Sequence, residues 1–232
     1  MDKVSVFAVS LAIHIFFGSI ALFVAPMAML TRKGGLWHRR WGKIFFWSMA
    51  VVATTAVVMS LISSGLFFLL VALFSFYLAF TGYRVLSRKT ARQRAGKIDW
   101  LAVAMMLAGS VALIVYGVYL TLTSSFGTVA IVFGAIGFFL AGADTRAFLN
   151  HPTDKQAWWY THMTRMLAAY IATVTAFSVV NFQFLPSMVR WLWATAVGTL
   201  GIIIWTRHYR KKFNRSDVQK NASSLRSGSK SV

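Results

Sequence analysis

The chain has 232 residues, 58% of them hydrophobic and 12% charged, whereas an average soluble domain is roughly 45–50% apolar and about 25% charged. With a mean hydropathy of +0.65 and apolar runs of about 20 residues, the length that crosses a bilayer core, this composition excludes a soluble globular fold. Lys and Arg number 24 against five acidic residues, giving a net charge of +19, and there is no Glu and no Cys; the lack of Cys excludes a disulfide framework, a thiolate metal site and a cysteine nucleophile.

Seven apolar segments follow in chain order, at 4–30, 44–64, 66–86, 98–123, 126–143, 163–184 and 188–205. Irregular backbone cannot face lipid, and membrane strands would alternate in short stretches, so the segments predict an all-α bundle of seven transmembrane helices. The first segment is longer than the roughly 7–15-residue apolar core of a secretory signal, so it is read as a retained span.

The connections alternate between basic and neutral. Arg32, Lys33, Arg39, Arg40 and Lys43 lie between the first two segments, while Ser63, Ser64 and Gly65 carry no charge. Arg84, Arg88, Lys89, Arg92, Arg94 and Lys97 follow the third, and the turn at Ser124 and Ser125 is again neutral. Altogether 22 of the 24 basic residues fall on one face, leaving Lys3 and Arg190 on the other. By the positive-inside rule this predicts an outside N-terminus and a cytoplasmic C-terminus in a cell (inner) membrane protein. The same rule accounts for the high charge without a nucleic-acid partner; the expected partners are the bilayer and anionic lipids at the basic face.

A transmembrane domain over 1–209 is expected to end in a basic tail over 210–232, too poor in apolar residues to offset its ordering entropy and so disordered. The nine Trp fall near predicted helix ends and read as interfacial anchors. Ala104, Ala108 and Ala112, Ala130 and Gly134, and Ala194 and Gly198 have the spacing of close helix packing. The two short neutral turns predict antiparallel hairpins.

Ionisable side chains are few enough that their grouping carries the functional reading. His14 lies mid-way through the first span, where an imidazole is expected to find a partner on another helix or to relay protons. His38, His151, His162 and His208 fall at the basic face with Asp99, Asp144 and Asp154. Within Lys33-Gly34-Gly35-Leu36-Trp37-His38-Arg39-Arg40-Trp41-Gly42-Lys43, the glycines allow a tight turn and set His38 at a helix entrance. Further on, the spacing of His162, Arg165 and Met166 puts them on one helical face. Gly82-Tyr83-Arg84 and Asp144-Thr145-Arg146 close helices at the same depth.

The Gly-Gly-Leu-Trp-His-Arg-Arg-Trp-Gly-Lys stretch, the Gly18, Ala21, Leu22 and Pro26 pattern after His14, and His162-Met163-Thr164-Arg165-Met166 with Ala169-Tyr170-Ile171 resemble a family of bacterial polytopic membrane proteins, domain of unknown function 2306. The similarity spans about residues 8 to 185. It implies an inner-membrane helical bundle and marks His14, His38, Arg39, Gly42, Asp144, His162 and Arg165 as positions of interest without implying an activity. His-Arg-x-x-Gly also bears a faint similarity to cytochrome b561-like proteins.

Three functions fit these residues. A b-type haem- or quinone-linked redox protein would use His38 and His162 as axial ligands, with Arg39, Arg84 or Arg165 meeting the propionates. A proton-coupled transporter or channel would use His14. A membrane hydrolase would hold Zn²⁺ with His38, His162 and Asp144, although no compact metal-binding spacing is present. Beside these stands a purely structural reading, in which the same residues cap helices and meet lipid headgroups.

Overall fold

In the computed structural model, residues 2–90, 93–122, 126–150 and 154–228 are described, those from 214 onward as backbone only. They form seven long helices and no strand: α1 Lys3–Leu30, α2 Leu36–Ser63, α3 Leu66–Arg84, α4 Lys97–Thr121, α5 Gly127–Asn150, α6 Ala157–Asn181 and α7 Ser187–Gly228. Every one contains a stretch long and apolar enough to cross a membrane, in α7 the part Ser187–Phe213. The protein is a polytopic helical membrane bundle.

Four helices start or stop away from the expected positions. α2 begins at Leu36 and α6 at Ala157, each more than a turn earlier than hydropathy suggests, because the amphipathic stretches Trp37–Lys43 and Trp158–His162 are wound into the helices as interfacial turns. α5 runs on to Asn150, so Asp144 and Arg146 lie within it. Helical geometry in α7 continues beyond 209, through a stretch with no Gly or Pro before Gly228; for the tail expected over 210–232, side chains from 214 on are outside the described residues. His151 is likewise outside them.

Short connections set the pairing. α2 ends with Ser64 in the left-handed region (φ 54°), and with Gly65 this makes a two-residue antiparallel turn into α3. α4 packs along α5, as expected, but through a different ridge. Ala104 and Ala108 are exposed and Ala112 is half-buried against the core, while Met106 and Ser110 on α4 meet Gly134 and Gly137 on α5, Gly117 meets Gly127 and Ile131, and Ala130 is buried. A methyl on Gly134 would stand 2.8 Å from the Ser110 carbonyl, so the backbones approach where there is no side chain. Ala194 is buried, and Gly198 of α7 fits against Ile171 of α6.

At the end remote from the basic residues, Trp191 is buried among Phe67, Phe126 and Phe133, so this tryptophan is a core residue and not an anchor. At the basic end two ion-paired groups hold α3 to its neighbours. Arg84 donates through Nε and Nη2 to Asp99 (3.1 and 3.0 Å), which also accepts from the Gly96 amide at the start of α4. Arg165 of α6 pairs with Asp144 of α5 at 2.9 Å, and the Tyr77 hydroxyl of α3 donates to the same carboxylate oxygen at 2.5 Å.

Candidate functional site

The last turn of any α-helix leaves carbonyls without an intrahelical donor. Two such carbonyls organise this site. The Ala28 carbonyl, at the end of α1, accepts from His38 Nδ1 at 2.8 Å; the Gly82 carbonyl, at the end of α3, accepts from His162 Nδ1 at 2.7 Å. Gly34, at φ 75°, provides the left-handed residue that turns the chain from α1 back into α2, so that His38 returns beside the helix it has just left.

A carbonyl oxygen can only accept, so the proton of each neutral ring is on Nδ1 and its lone pair is on Nε2. Neither Nε2 has a hydrogen bond among the described residues. The two rings are neighbours, with centroids 6.2 Å apart and planes at 79°. Each lies beside the partially negative end of a helix, a setting that favours positive charge between them.

Both imidazoles line a cavity of about 620 Å³ bounded by α1, α2, α3, α6 and α7. Its inner wall is apolar and aromatic, made by Ala25, Phe45, Met166, Leu167 and Tyr170; its outer rim carries Lys33, Arg39, Lys43, Arg84 and Lys89, and among the described residues no carboxylate lines it. Tyr170 lies eight residues along α6 from His162, about 12 Å deeper at 1.5 Å per residue. The cavity is therefore amphipathic in the direction of the membrane normal. At its rim, Lys33 donates to the Met29 carbonyl and lies 5.4 Å from the Trp205 ring, and Lys89 lies 4.9 Å from the Trp158 ring. Burial lowers the pKa of the Lys33 ammonium from the ordinary lysine value.

His38, His162, Arg39 and Arg84 are thus brought together as expected, with Arg84 also engaged by Asp99. Arg165 is not: its side chain turns away from the face that His162 and Met166 present to the cavity, and it is buried against Asp144 and the Leu140 carbonyl. Asp144 is held by Arg165 and Tyr77, and no three His or Asp side chains among the described residues come close enough to share a metal ion, so the expected set of His38, His162 and Asp144 for Zn²⁺ does not assemble. His14 is also elsewhere, roughly 21 Å along α1 from Ala28. Its Nδ1 donates to the Val52 carbonyl at 3.1 Å, with Thr55 Oγ1 at the same distance, which ties α1 to α2. His208 is exposed on α7 and does not line the cavity.

Sequence reading put Met166 on the face of His162 but did not select Lys33 or Lys89 for the site, nor the walls formed by Tyr170 and Trp205. Trp158, Trp159 and Trp205, expected to be anchors only, also line the cavity. The available signal was the position of these residues within a turn or two of His38 or His162 at the basic end. Comparison with family models, curated proteins and solved structures finds no match.

Proposed function

We propose that this polytopic membrane protein is a redox protein that binds b-type haem between His38 and His162, with its basic end on the cytoplasmic side of a bacterial inner membrane. The spacing of the two imidazoles carries the reading. His38 and His162 would hold the iron: their rings are neighbours in the cavity wall, with centroids 6.2 Å apart, and neither Nε2 has a hydrogen bond among the described residues. Nδ1 hydrogen bonds to backbone carbonyls are the usual support for an imidazole that ligates through Nε2.

The remaining wall suits the same group. The apolar inner surface accommodates a macrocycle, and Lys33, Arg39, Lys43 and Lys89 at the rim offer charge-assisted bonds to propionates. When bound, haem would supply one-electron transfer. The chain's own part is to hold both imidazoles in the required tautomer, neutralise the propionates and exclude water from the inner wall. Membership of domain of unknown function 2306 belongs to the same proposal and adds no activity to it.

The test is a visible spectrum of the detergent-purified protein supplied with haem. A Soret band is expected in the wild type, lost in His38→Ala and in His162→Ala, and kept in His14→Ala and His208→Ala. A band that survives both cavity substitutions, or a wild type that acquires none, overturns the reading.

A further inference from the structure

Five helices bound the two-histidine cavity, and two of them, α1 and α7, flank it without meeting each other among the described residues. Neighbours α1 and α2, α2 and α3, α3 and α6, and α6 and α7 are all in contact, whereas α1 and α7 stand on either side of α6, each touching it and neither touching the other among the described residues. Ala25 of α1 and Leu167 and Tyr170 of α6 place the inner part of the groove within membrane-crossing segments. A seam between two such segments, at that depth, faces acyl chains and not water. At its shallow end the seam is bridged by Lys33 from the α1 to α2 turn, lying over Trp205 of α7.

From this arrangement we infer that the cavity takes its occupant from the bilayer, through the gap between α1 and α7, and that the contact of Lys33 with Trp205 is the latch across that gap. The class of ligand follows from the wall: an apolar body entering among Ala25, Leu167 and Tyr170, with an anionic head left at the basic rim. A molecule of that kind partitions into lipid first and needs no water-filled path. The inference rests on the haem reading for the identity of the occupant, haem itself being such an amphiphile, but the route is read from the helices alone.

The natural chain contains no cysteine, so a single introduced thiol reports the route. Leu167→Cys protein, reconstituted into phospholipid vesicles, is treated either with a long-chain N-alkylmaleimide dissolved in the bilayer or with a sulfonated maleimide confined to water; Met29→Cys on the opposite wall serves as a second probe. Labelling by the bilayer reagent is expected to be several-fold faster at both positions. Adding Trp205→Ala is expected to raise it several-fold again, with the sulfonated reagent unaffected. Faster labelling from water, or a bilayer rate indifferent to Trp205, overturns the route. Haem added before the maleimide is expected to protect the thiol. Bilayer labelling without protection leaves the route standing and removes haem as occupant, while haem binding with labelling from water alone does the reverse.

Discussion

His162 and Gly82 are joined backbone to ring: the imidazole of α6 donates to the last-turn carbonyl of α3 at 2.7 Å, and the absence of a side chain on Gly82 is what lets α6 come that close. A methyl there would stand 3.0 Å from both Arg165 Cβ and Met166 Sδ. Gly82→Ala is therefore expected to push α3 from α6, costing about 1–3 kcal/mol of stability and weakening the proposed haem binding through the misplaced His162. Gly18→Ala, whose added methyl would meet only Val52 at 4.0 Å, should leave both unchanged. Denaturation in mixed detergent and a Soret titration measure the two effects, and equal behaviour of the two variants would contradict this account.

The pair formed by Asp144 and Arg165 carries a second prediction. Both side chains are buried and tie α5 to α6, with Tyr77 of α3 on the same oxygen. Removing one charge strands the other in a region without water, for which about 3–5 kcal/mol is typical, whereas replacing both by apolar groups of similar volume can be neutral. Asp144→Asn is expected to destabilise strongly, and Asp144→Leu combined with Arg165→Met to recover most of that loss. Because neither residue lines the cavity, the folded fraction of each variant should match the wild type in the proposed haem binding. Reduced affinity in the recovered double variant would show that Arg165 acts on the site.

Much of this molecule was legible from composition because lipid imposes one rule everywhere: the segment lengths follow from bilayer thickness and the short neutral turns dictate hairpins. The pairing of His38 with His162 could be anticipated because both fall at the same depth. What could not be read was the direction a side chain takes around a helix once two helices touch. Arg165 shares a face with His162 by spacing, yet the carboxylate of Asp144 draws it inward. Ala104 and Ala108 on α4 satisfied the packing pattern as Ala112 did, but only Ala112 packs against the core; lipid and protein are almost equally good neighbours for a methyl group, and Ser110 and Gly117, which permit closer backbones, took the interface.

That difference between the two ridges of α4 is testable. Ala108 is exposed on the lipid face, so Ala108→Leu should change stability little. Gly134→Leu places its side chain against the Ser110 carbonyl, 2.8 Å from where its Cβ must be, and should be destabilising by about 1–3 kcal/mol or more. The check is the unfolding midpoint of each variant in the same detergent; a destabilised Ala108→Leu would point to packing on the face that the structure leaves to lipid.

Lys33 gives a prediction in pH. Burial lowers its pKa from the ordinary lysine value, about 10.4 in an unfolded chain. Between the lowered value and about 10.4 the unfolded chain binds a proton that the folded chain does not, so this group makes stability rise with pH across that window, and contributes no slope below it. The same loss of charge removes the ammonium from the Trp205 ring, 5.4 Å away, which opposes the gain from relieved desolvation. Wild-type protein should therefore gain stability relative to Lys33→Met as pH approaches 10, with a constant difference near neutrality. Melting temperatures of the two proteins in detergent, compared at each pH so that the other lysines cancel, measure the slope; a difference that stays flat throughout, or that shrinks the wild type's standing as pH rises, would mean that the ring contact and not burial governs this ammonium.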